Sequence, residues 1–247
     1  FLTLARKPDI TTVANGDSQI ISAIVMVLRC SFPRGPENDP AETFAIIQRF
    51  FGHAGEIIRK HGGSTINFRP EGLEAVFEKG MPTGLQAALE LGAATAEGMG
   101  LHIGLEHDSL LLGIVGEEQH LNAVILGDAM QRATRLAELG ATLGARVILS
   151  QGATRALKDI ENYQFRVLGE FVLSEGHPAG LVAEFFDSDP PGDWNAKRAT
   201  KKQFELAVHL ALKKRRADAV AALKAHLAGF PGDRAARHHL AQITKLP

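Results

Sequence analysis

The stretch HGGSTINFRPEGLEAVF, residues 61–77, decides how the chain folds. His61-Gly62-Gly63 ends a helix, because glycine reaches the left-handed conformation that a helix terminus uses. Ser64 to Phe68 and Leu73 to Phe77 then read as two short strands around a turn at Arg69-Pro70-Glu71-Gly72. A helix running into a tight hairpin is the signature of helices laid on a mainly antiparallel sheet.

The flanking segments continue that pattern. Ile20 to Leu28 (IISAIVMVL) is apolar and rich in β-branched residues, which predicts a strand buried on both faces. Residues 31–40 contain three prolines, a glycine and Asn38, so a loop is expected. A helix starts at Asp39 or Pro40, with Phe44, Ile47, Phe51, Ala54 and Ile58 forming one apolar face. Downstream, a helix is expected over 82–96. Leu101 to Leu105 and Leu110 to Val115 read as a hairpin joined at Glu106-His107-Asp108. A short strand over Ala123 to Leu126 leads into a helix from Asp128 to Leu139. A strand at Val147 to Leu149, a short helix at Gln151 to Leu157, and two closing strands (Phe165 to Val172, Gly180 to Phe185) complete an α+β fold.

Composition narrows the function classes. The 247 residues suffice for one sizeable core and a small appendage. A formal net charge of -1 and 6% aromatic content argue against a nucleic-acid partner, and the charge balance argues against membrane contact by this segment itself. The longest apolar run is too short to span a bilayer. Cys30 is the single cysteine, which rules out an internal disulfide and fits a reducing compartment. The first residue is Phe1, as in a piece cut from a longer protein; the expected location is the cytoplasm, alone or as the cytoplasmic part of a membrane-anchored chain.

The C-terminal part changes character. Residues 187–195 (DSDPPGDWN) read as a linker, and 200–245 carry apolar residues at helical spacing, broken at Phe230-Pro231-Gly232-Asp233. The resulting division is a lead-in over 1–18, a main domain over 19–187, a linker over 188–196 and a helical extension over 197–247. The extension looks like a helical hairpin or one tetratricopeptide-like unit. A lone repeat cannot bury its own apolar face, so it must pack on the main domain or on a partner.

Four stretches carry a family resemblance over about residues 20–186. They are the opening stretch 61–77, LHIGLEHDSLLLGIVG (101–116), ILGDAMQRATRLAELG (125–140) and RVLGEFVLSEGHPAGLVAEF (166–185). In order and spacing they resemble the catalytic domain of the class III adenylate/guanylate cyclases. The resemblance implies a ferredoxin-like nucleotide-cyclase sandwich, a βαββαβ core with further αβ units, followed here by the small all-α extension. It also implies a head-to-tail two-fold dimer, as a homodimer or with another cyclase-like chain.

The family's chemistry rests on two aspartates that hold two divalent metals around a triphosphate. The first aspartate's position is Val27, which cannot ligate a metal, and the second falls at Pro70-Glu71. Asn67 and Val124 stand where the family reads the purine, and only Asn67 keeps a hydrogen-bonding group. Gln131 and Arg135 occupy the positions of a catalytic asparagine and arginine, and only Arg135 matches outright. The resemblance therefore implies a degenerate, non-catalytic cyclase-homology domain, a dimerisation, ligand-binding or signalling module with no expected cofactor. The alternative is a purine nucleotide cyclase converting ATP to cyclic AMP, weakly active through Glu71 with Mg or Mn, or the incomplete half of a heterodimer that lends Arg135.

Other residues invite sharper readings. His102, Glu106, His107 and Asp108 could surround a metal, but a hairpin turn there would splay them. His209, His226, His238 and His239 are expected to face solvent. Lys197, Arg198, Lys201 and Lys202 are expected on a solvated helix face. Cys30 beside Arg29 is expected to be an inert thiol, and Asp128 to open a helix as a favourable N-terminal acid.

Overall fold

A computed structural model describes residues 12–32, 40–95, 98–117 and 120–245. Residues 1–11 of the lead-in and 33–39 of the expected loop lie outside the described residues. The elements run β1 (Ser18–Ser31), α1 (Pro40–Lys60), β2 (Gly63–Arg69), β3 (Gly72–Phe77), α2 (Met81–Ala93), β4 (Gly100–Glu117), β5 (His120–Leu126), α3 (Asp128–Leu143), β6 (Val147–Ser150), α4 (Gln151–Arg155), β7 (Phe165–Phe171), β8 (Gly180–Phe185), then α5 (Pro191–Leu212), α6 (Arg216–Gly229) and α7 (Arg234–Lys245).

Seven strands lie in the order β2-β3-β1-β4-β6-β8-β7, and β5 pairs with the far end of β4. The β1 strand is central and antiparallel to both neighbours. Its alternation explains the sandwich. Ile24, Met26 and Leu28 pack into the core under α1 and α2, while Ile21, Ala23, Val25 and Val27 face α3 through Ala129, Ala133 and Ala137. Burial on both faces is what a run of β-branched and apolar residues predicts.

Gly104 on β4 fixes how closely α3 approaches. A Cβ there would sit 2.1 Å from the Ala133 carbonyl oxygen, so only glycine lets the helix backbone lie this near the sheet.

The expected hairpin at 106–108 is corrected. Residues 100–117 form one 18-residue strand, and β1 pairs across the supposed turn, with Val25 opposite Glu106 and Ala23 opposite Asp108. The polar triplet sits in mid-strand because α3 supplies its partner. Arg132 donates to Glu106 through Nε at 3.0 Å and to Asp108 through Nη2 at 2.5 Å, and Ser150 donates to Glu106 at 2.7 Å. The reversal instead falls between β4 and β5.

The expected linker is also partly helical. Pro191 begins α5, a position where a proline's missing N–H costs nothing and its fixed φ suits the first turn. The three C-terminal helices extend the α3 layer. Phe204, Val208, Leu223 and Ala236 join Leu136 and Leu143 of α3 with Ile148, Leu168 and Val182 of the sheet in one cluster.

A buried ionic cluster lies in this seam. Arg166 of β7 is ion-paired with Glu184 of β8 and with Asp233 before α7. Lys197 of α5 contacts Glu184 at 2.9 Å and Asp189 at 2.6 Å. Two expectations of exposure are thereby overturned. Lys197 is buried, and His226 is fully buried with its Nε2 2.8 Å from Asp233 Oδ2. His239 is largely covered and faces the Leu168 carbonyl at 2.5 Å, whereas His209 is exposed. Charged side chains can be buried here because each meets an opposite charge at hydrogen-bond distance.

Candidate functional site

The end of β1 and the β2–β3 hairpin enclose a cavity of about 200 Å³. Gly72 makes this possible, since a Cβ there would stand 1.9 Å from the Leu28 carbonyl oxygen. The turn is drawn against β1, where the Cys30 N–H donates to the Glu71 carbonyl at 2.8 Å. Val27 and Glu71 both line this cavity, with Val27 only 5% exposed. Val27 is a core residue here, packed in the cluster that holds Val25, Val76 and Ala133.

Directly across the ladder from Val27 stands Glu74. Its carboxylate faces the same cavity and is already engaged. Asn67 donates to it at 2.7 Å, and the Arg69 guanidinium reaches it at 3.1 Å. Asn67 thus enters the site as a partner of Glu74. Glu74 and Arg69 are residues the sequence reading missed. The available signal was a carboxylate at an alternating position inside the apolar run Leu73 to Phe77.

Arg135 is half-exposed on α3 and pairs with Glu138 at 3.3 Å, and Glu138 also takes Arg29 at 3.2 Å. Arg29 lines the cavity, so Arg135 connects to it through two intervening side chains. Gln131 is exposed one helical turn before Arg135. Val124 is not brought to this cavity. It sits opposite Gly113 on β4, whereas Val27 sits opposite Gly104. The separation along β4 is about 30 Å at roughly 3.3 Å per residue.

Cys30 is buried, and burial followed by the nearby Glu71 carboxylate pushes its thiol up to about 12, so Arg29 does not activate it. Among the described residues no three His, Cys, Asp or Glu side chains are grouped to hold a metal ion. Asp128 is the first residue of α3, as expected.

Similarity to solved structures decides the fold. A bacterial light-regulated adenylyl cyclase superposes with a TM-score of 0.63 at 20% identity, over 81% of this chain and 61% of that one. The fold is that of the class III nucleotide cyclases. A second structure of a bacterial light-regulated adenylyl cyclase gives 0.60 at 20% identity, over 73% of this chain and 55% of that one, so the chain spans little more than half of either. The adenylyl cyclase CyaB from P. aeruginosa gives 0.56 at 16% identity, over 69% of this chain and 96% of that one. No family model and no curated protein matches the sequence. Among the described residues no helix is long and apolar enough to cross a membrane.

Proposed function

We propose that this chain is a non-catalytic cyclase-homology domain, a dimerisation and ligand-binding module for signalling. The observation that carries this reading is the Val27–Glu74 pairing. A hydrocarbon side chain occupies the strand position of a metal-binding carboxylate. The carboxylate opposite is ion-paired with Arg69 and accepts a hydrogen bond from Asn67. That leaves exposed Glu71 as the one carboxylate at the cavity without a cation at bonding distance among the described contacts, so the donor set does not fit a two-metal clamp.

Dimerisation is supported by where apolar surface is left. Ile20, Leu111 and Leu126 lie in one cross-strand row, with Ile20 and Leu126 well exposed. On the β2 side Phe68 is exposed and packs on Phe51 at a centroid distance of 5.5 Å. A head-to-tail two-fold pairing, with an identical or a related cyclase-like chain, would bring the first patch of one chain to the second patch of the other. It would also carry Val124 toward the partner's Val27 cavity. We assign residues 19–187 to the cyclase-like unit and 197–247 to a tetratricopeptide-like extension, and place the domain in the cytoplasm.

The test is turnover. Purified protein given ATP or GTP with Mg or Mn is expected to yield no cyclic nucleotide. Product formation that disappears in Arg135→Ala would overturn the reading and favour a weak purine nucleotide cyclase. Formation only after a second cyclase chain is added would favour the incomplete half of a heterodimer.

A further inference from the structure

A second cavity, of about 300 Å³, lies between the sheet and the C-terminal helices. Four cationic side chains line it. Two of them, Arg166 and Lys197, are already matched to Glu184, Asp189 and Asp233. The other two are held differently. Arg146, just before β6, donates through Nη1 to the Gly92 carbonyl at 2.6 Å and to the Ser188 carbonyl at 3.3 Å. Arg234, the first residue of α7, donates through Nη2 to the carbonyls of Ala141 at 2.6 Å and Thr142 at 3.3 Å.

Main-chain carbonyls orient a guanidinium without cancelling its charge. Each of these arginines engages carbonyls through one nitrogen only, and a guanidinium carries five N–H donors in a fixed fork. Among the described residues neither has a carboxylate within ion-pair distance. His102, on the same wall, feels both. Burial lowers its pKa first, and Arg234 and Arg146 lower it further against a hydrogen bond to the Ala145 carbonyl. Two acids line the cavity, Asp233, which is already ion-paired with Arg166, and the exposed Asp193 in the first turn of α5; Asp189, held by Lys197, also acts on Arg146 through space.

Two pre-oriented guanidinium groups in a partly enclosed cavity match the planar, bidentate recognition that oxyanions favour. The volume lies at the lower end of small-molecule sites and exceeds what one phosphate group fills. We propose that this seam cavity binds a small phosphate-bearing molecule, gripped by Arg146 and Arg234, that ties the C-terminal helices to the cyclase-like sheet. The site is separate from the Val27 cavity, and its occupancy does not depend on whether the chain turns over nucleotide.

Calorimetric titration of the full chain with inorganic phosphate, pyrophosphate and AMP, with acetate as a singly charged control, tests this. Saturable binding of at least one phosphate-bearing probe, absent with acetate, is expected. Binding of inorganic phosphate as tightly as AMP points to the free ion, and tighter AMP binding to a phosphorylated metabolite. Arg146→Gln and Arg234→Gln should each weaken binding by about tenfold or more, as loss of a charged hydrogen bond does. Both arginines also cap helix ends, so a loosened fold could mimic that loss. Asp193→Asn separates the two effects, because removing the opposing carboxylate should tighten binding severalfold. No saturable binding of any phosphate probe at millimolar concentration would overturn the proposal. So would binding that survives both glutamine variants and is unchanged in Asp193→Asn, or binding lost in Arg69→Gln but retained in Arg146→Gln.

Discussion

Arg166 and Asp233 form a bidentate ion pair at the seam, with Nη1 2.5 Å from Oδ2 and Nη2 3.1 Å from Oδ1, and both side chains are 1% exposed. The arginine comes from the sheet and the aspartate from the turn before α7, so the pair fastens the extension to the domain. Its guanidinium also lies 4.1 Å from the centre of the Phe204 ring on α5.

Arg166→Ala should therefore be severe. It leaves Glu184 and Asp233 buried without their shared cation, and removing one partner of a buried pair costs about 3–5 kcal/mol. Chemical denaturation should show that loss. Hydrogen exchange should show α7 losing protection more than α1, which lies on the opposite face of the sheet.

Asp233 also makes the seam acid-sensitive. Burial alone would raise its pKa, but hydrogen bonds from His226 and Arg166 outweigh burial and hold it well below the usual carboxylate range. A carboxylate with a depressed folded-state pKa stabilises the fold above its unfolded value of about 3.9, and that contribution is lost as pH falls toward the folded value. Stability should thus drop below about pH 4 in the natural chain. Asp233→Asn should be less stable at neutral pH and show a flatter decline in the same acid titration.

The sheet and the seam differed in how far the sequence revealed them. Ile20 to Leu28 announced a doubly buried strand because its environment is apolar on both sides, a property local to the run. The 61–77 hairpin was legible because glycine and proline mark turns locally. Glu106-His107-Asp108 misled because three polar residues resemble a turn until Arg132, on α3, is known to lie over them. Lys197 and His226 misled for the same reason, since a charged or polar residue reads as exposed unless its distant partner is known. At the Val27 cavity the resemblance alone singled out Val27 and Glu71, whereas the Arg69–Glu74–Asn67 arrangement depends on cross-strand geometry that a linear reading does not supply.

Gly104→Ala tests the packing that positions α3. The added Cβ would stand 2.1 Å from the Ala133 carbonyl oxygen and 2.7 Å from the Ala137 nitrogen, both backbone atoms that no rotamer change can move. Overpacking of this kind costs about 1–3 kcal/mol, and the whole helix must shift to relieve it. A lowered Tm with an altered near-ultraviolet spectrum is expected, and unchanged stability would contradict the close contact.

The proposed dimer face is tested by charge. Ile20→Lys and Phe68→Glu replace exposed apolar side chains, so neither should lower monomer stability by more than about 0.5 kcal/mol. Sedimentation velocity should show the natural chain as a dimer and each variant alone as a monomer at the same concentration. A mixture of the two should recover some association, because in a head-to-tail pair the new lysine would meet the new glutamate.

Val27→Asp examines the position that the resemblance assigns to a metal-binding carboxylate. The new carboxylate would be almost fully buried and directly opposite Glu74, so it lacks solvent and faces a like charge. Burying a polar group without a partner costs about 1–3 kcal/mol by protein mutational data, and an uncompensated charge costs more. The variant should melt at lower temperature than the natural chain in metal-free buffer. Manganese could bridge the introduced carboxylate to Glu71, so adding it should raise the variant's Tm while leaving the natural chain's Tm unmoved. If manganese stabilises both chains alike, the divalent ion is being held by groups already present, and the reading of Val27 as the residue that disables the site fails.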